Sequence, residues 1–184
     1  MSDFGDPTDA ASAPATPPGP SAVSPALRDP ANQVSPRAVS YWMLTSALGS
    51  ILVLGALGVG WYFWRERPWW ATALLAVVLA VAAVETFVAP RIRFRVHRWE
   101  VTNEAIFTRS GWLSREQRIA PLSRVQTVDS NQGVLMRIFG LAQITVTTAS
   151  AAGPITITGL AEDVARRTVA ELTEITAAAE GDAT

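Results

Sequence analysis

Two uninterrupted apolar runs, residues 41–64 and 69–89, are separated only by Arg65, Glu66, Arg67 and Pro68. As helices rising ~1.5 Å per residue they reach roughly 36 and 32 Å, enough to cross a hydrocarbon core of ~30 Å with some tilt. Four polar residues allow no more than a reversal at a membrane surface, so the two spans are antiparallel neighbours. Tyr41 and Trp42 open the first run, Trp61, Tyr62 and Trp64 close it, and Trp69 and Trp70 open the second. Amphipathic rings in such positions mark the headgroup level at each interface. A soluble core that hid both runs would need more chain than 184 residues provide. A cleaved signal peptide is excluded because the first run starts late, is too long for an h-region and is followed by a second span.

Arginine placement sets an orientation. Arg28 and Arg37 precede the first span and Arg91, Arg93, Arg95 and Arg98 follow the second, against Arg65 and Arg67 in the loop. By the positive-inside tendency both termini are expected in the cytoplasm of a cell (inner) membrane protein. The chain has no cysteine, which removes disulfides and thiolate chemistry. Residues 1–36 hold eight of the twelve prolines among Ala, Ser, Thr and Asp. Such a composition cannot bury enough apolar surface to offset its ordering entropy, so a disordered cytoplasmic tail is expected there.

The period of the pattern changes after the second span. In residues 91–97, Ile92, Phe94 and Val96 alternate with Arg91, Arg93, Arg95 and His97, the signature of a half-buried strand. Short segments rich in Val, Ile and Thr follow at 104–109, 112–120, 123–129, 141–148 and 154–158, bounded by Gly, Asn, Ser or Pro, and suggest a sandwich or barrel. Residues 132–140 interrupt them with Val134, Leu135, Ile138 and Phe139 at the spacing of a single helical turn, Met136 and Arg137 being expected nearer solvent. The last segment is amphipathic, with Val164, Thr168, Leu172 and Ile175 on one helical face and Glu162 and Asp163 in the first turn.

Ile119, Pro121, Leu122, Val125 and Gln126, followed by Gln132, Gly133, Arg137, Gly140 and Leu141, with Gly111 upstream, resemble the bacterial pleckstrin-homology (PH)-like membrane proteins of the YdbS-like family. The resemblance runs from about residue 41 to 178 and leaves the tail outside. It implies about seven strands in two orthogonal antiparallel sheets, closed by a C-terminal helix and held at the cytoplasmic face of the membrane, with no enzymatic activity. The expected architecture is an α+β membrane protein: tail 1–36, transmembrane hairpin 37–90, PH-like domain 91–178 and a flexible end at 179–184.

The inventory of reactive groups argues against catalysis, cofactors and metals. His97 is the only histidine, and no carboxylate or serine stands near it at triad or ligand spacing. Basic strands can also read nucleic acid, but the chain lacks lysine, has a formal net charge of −1 and shows no stacking platform. The arginines suit a different surface. In a strand, Arg91, Arg93 and Arg95 would share one side where the membrane ends, and with Arg98 they form a candidate site for anionic phospholipid headgroups. Val134, Leu135, Met136, Arg137 and Phe139 are the candidate docking residues for a partner, expected to be another membrane protein or a second copy. Glu85 is the lone charge inside the spans, and its position near the cytoplasmic end suggests pairing with Arg91 or Arg93. Ala56 with Gly60, and Ala76 with Ala80, repeat the small-residue spacing that lets helix backbones approach closely in lipid.

Overall fold

The computed structural model describes residues 29–66, 68–150 and 153–181. Two long helices lead the chain. Helix α1 (Arg37–Phe63) and helix α2 (Trp69–Ala83) are antiparallel, and the turn between them is tied by an edge-on contact of Trp64 with Trp70 and a 3.3 Å hydrogen bond from Trp61 Nε1 to Thr72 Oγ1. Helix α2 does not stop at the membrane surface. It widens into a π turn at Val84–Val88 and continues as α3 (Ala89–Val96), so one rod runs over Trp69–Val96. Pro90 accounts for the widening: it supplies no N–H to the carbonyl four residues back and its ring crowds that carbonyl.

The strand expected at 91–97 is therefore a helix. Its period-2 alternation is genuine, but Ala89, Ile92 and Val96 are also spaced as one helical face. Ala89 and Val96 are buried and Ile92 is half-buried on that face. The preceding helix supplies the nucleus, and tertiary packing of Ala89, Pro90 and Val96 overrides a local preference of this size.

Seven strands form two antiparallel sheets. The first has the order β1 (Asn32–Gln33), β2 (Arg98–Val101), β3 (Ala105–Gly111) and β4 (Arg115–Pro121). The second has the order β5 (Val125–Asn131), β6 (Leu141–Thr148) and β7 (Ile155–Ala161). Gly111 makes the β3–β4 turn possible: its φ is +116°, and a Cβ there would lie 1.8 Å from the Ser114 carbonyl oxygen. In β6, Ala142, Ile144, Val146 and Thr148 are buried and alternate with half-buried Gln143, Thr145 and Thr147, as the pleat requires. The short helix α4 (Val134–Ile138) joins β5 to β6. Helix α5 (Glu162–Gly181) packs Ala165, Thr168 and Leu172 against the sheets and runs into the stretch assigned to a flexible end.

Strand β1 comes from upstream of the hairpin, within residues assigned to a tail. Asn32 lies opposite Trp99 and Gln33 opposite Arg98, Val34 enters the core, Pro30 is fully buried, and the Ser35 N–H donates to the Gly159 carbonyl at 2.8 Å. The domain thus takes in both sides of the hairpin, and residues 29–36 belong to it. The rest of that tail, 1–28, lies outside the described residues.

Candidate functional site at the membrane junction

Helix α1 has 27 residues, or about 40 Å at ~1.5 Å each. Counting ~20 residues back from its aromatic end at Phe63 puts the start of the hydrocarbon near Leu44. By that count the turns before it, from Arg37 to Met43, fall at headgroup level and outside. They are built into the domain. Ala38 is fully buried and Trp42 is 6% exposed, both in the core shared with Ile106, Leu141, Ile144 and Leu160. Gly159 receives them: its φ is +78°, and a Cβ there would lie 2.8 Å from the Ala38 Cβ and 3.3 Å from the Trp42 ring.

Trp42 is the centre of this junction. The Arg93 guanidinium lies 5.5 Å from its ring centre and the His97 ring 5.3 Å away, which joins α1 to the end of α3 through a cation–π contact and an aromatic one. His97 Nδ1 is 3.0 Å from the Arg93 carbonyl oxygen, and the neutral tautomer protonated at Nδ1 donates to it. Burial pushes the His97 pKa below its ordinary value. The hydrogen bond to the Arg93 carbonyl opposes this, and the nearby Arg93 charge adds to the lowering.

The four candidate headgroup arginines do not form one row. Helical geometry puts Arg91 and Arg95 one turn apart on an exposed face, while Arg93 turns to Trp42 and Arg98 enters β2 with its Nε buried. Arg91 donates to the Phe87 carbonyl, and Arg109, from β3, reaches both the Val96 carbonyl at 3.2 Å and the Asp29 carboxylate. Of the four, Arg91 and Arg95 are the exposed ones.

Glu85 has no ion pair with Arg91 or Arg93. It sits in the π turn, half-buried, and lines a groove of about 360 Å³ between the two helices with Ser46, Gly49, Ser50, Val78 and Ala82. The pairing with Arg91 or Arg93 expected from the sequence is thus not made, and Glu85 borders the groove between the helices. Close packing at Gly60 is absent as well, because a Cβ there would meet nothing within 4 Å, and Ala56 and Gly60 line an open cleft of about 290 Å³ near the tryptophan end.

Of the candidate docking residues, Met136 and Phe139 pack against the core, with Phe139 edge-on to Tyr41 at 6.1 Å, and Leu135 is half-buried. Met136 is thus inward, against expectation. Val134 and Arg137 are exposed, and Ile138, absent from the candidates, is exposed with them. Gly159 and Val34 were not singled out from the sequence, and Trp42, expected as an interfacial ring, is instead a core residue. The signals existed, since a tryptophan one position past the interfacial tyrosine and a glycine inside a β-branched strand both call for a close partner, but neither names that partner.

This architecture, an apolar helical hairpin fused to two antiparallel sheets and a closing helix, defines a membrane protein with a PH-like domain. The chain belongs to the bacterial PH domain family, whose model matches residues 43–176. It is 31% identical over 153 residues to the UPF0699 transmembrane protein YdbS of Bacillus subtilis (strain 168), a match covering 80% of this chain and 95% of that protein. No solved structure matches.

Proposed function

We propose that this protein is a non-catalytic interaction or assembly module in the upkeep of the bacterial envelope, holding its PH-like domain at the cytoplasmic face and joining another membrane protein within the bilayer. The observation that carries the reading is Glu85 in its groove. Ionisable residues inside a membrane are costly and are kept where a partner satisfies them. Ser46, Gly49, Ser50 and Ala82 around it are small enough for a third helix to approach closely. A neighbouring span that brings a hydrogen-bond donor to Glu85 supplies what the described residues of this chain do not.

The test uses full-length protein extracted from its own membranes with wild type, Glu85→Gln and Glu85→Leu side by side. Wild type is expected to retain one membrane protein at fixed stoichiometry, Glu85→Gln to retain part of it through the amide, and Glu85→Leu to lose it. Equal recovery by all three contradicts the reading. The alternative is binding of anionic headgroups, supported by the exposed pair Arg91 and Arg95. At ~1 kcal/mol per basic side chain the pair gives about a 30-fold preference for anionic over neutral lipid. Arg91→Ala with Arg95→Ala should abolish that preference and leave partner recovery intact.

A further inference from the structure

We propose that α4 is a wedge that sits in the headgroup boundary of the same bilayer that holds the hairpin, with Val134 and Ile138 entering the acyl region and Arg137 at the phosphates. Three observations converge on it. Val134 is 80% and Ile138 72% exposed, and as residues four apart they share one helical face. That face is rigidly presented, because Met136 and Phe139 pack against the core on the other side and the Arg137 N–H closes the turn onto the Gly133 carbonyl at 2.9 Å. Its height is fixed by α1: Phe139 meets Tyr41, and Gly140 lies beside the Arg37 guanidinium, 3.1 Å from where a Cβ would be. Tyr41 is three residues, or about 4.5 Å, outside Leu44, which places it within the ~5–8 Å headgroup zone of a bilayer leaflet.

Lipid is the occupant this geometry favours over protein. Two side chains fall far short of the ~800 Å² per partner that a stable protein interface buries. An element already tethered at headgroup depth needs no such area, since the spans hold it against the membrane. The opposite side of α4 is fastened to α1 through the Tyr41–Phe139 contact, which keeps the element at that depth. The inference does not depend on the Glu85 groove, which lies inside the spans.

The chain contains no cysteine, so a single one introduced at Val134, Ile138 or, as a water-exposed reference, Glu174 carries a fluorescent label without ambiguity. Full-length protein is reconstituted in phosphatidylcholine vesicles at low protein-to-lipid ratio, and each label is quenched by nitroxide-bearing lipid and, separately, by iodide in water. Labels at 134 and 138 are expected to be quenched several-fold more by the lipid nitroxide, and several-fold less by iodide, than the label at 174, with or without anionic lipid. Iodide access at 134 and 138 equal to that at 174 overturns the wedge. So does shielding that appears only when the protein-to-lipid ratio is raised, which shows that a second copy covers the face.

Discussion

His97 and Gly159 are the residues at which the junction is most sensitive. The lowered His97 pKa means that the unfolded chain binds its proton more readily than the folded one. Stability at this site is therefore fully present above the unfolded value of about 6.5 and declines as pH falls from there toward the folded value. Melting of detergent-solubilised protein should show that decline, and His97→Phe, which cannot titrate, should flatten it. Gly159→Ala adds a methyl group where φ is +78° and the Ala38 Cβ would be 2.8 Å away. Strain and overpacking together should cost about 2–4 kcal/mol, read as a lower melting temperature. Phe139→Ala is expected to cost less than a fully buried ring would, about 2 kcal/mol, because Phe139 is only half-buried against Tyr41.

Among the elements, β1 and α3 show where local sequence signals end. The strands at 104–109 and 141–148 were legible because they alternate and are bounded by turn residues, and α5 because its face repeats at helical spacing. Segment 91–97 alternates just as well, yet α2 reaches it without a break and Pro90 widens the rod into a π turn rather than ending it. Two residues of β1 carry no pattern at all. They are ordered by β2, whose Trp99 and Arg98 lie opposite Asn32 and Gln33 from far downstream in the chain. Removal of residues 1–28 should therefore leave the melting temperature of the protein nearly unchanged. Removal of 1–36 should lower it substantially, since Pro30 and Val34 leave the core. Equal effects of the two truncations would show that β1 contributes no packing.

For the whole molecule, the domain is built on the ends of the spans and not hung from them by a linker. The family and the hairpin could be read from the sequence, because long apolar runs and a spaced motif are local features. The junction could not, because Trp42, Gly159, His97 and Val34 meet only in three dimensions. The arginine placement predicts cytoplasmic termini, so cysteines placed at Glu66 and Glu174 should label from opposite sides of the membrane, Glu66 from outside. Hydrogen exchange on Trp42→Ala in nanodiscs tests the shared core most directly. Loss of the ring that fills the space between Gly159, Arg93 and His97 should speed exchange throughout β6 and β7 as well as at the start of α1. Faster exchange confined to the first turns of α1, with β6 and β7 as protected as in the wild type, would contradict the account.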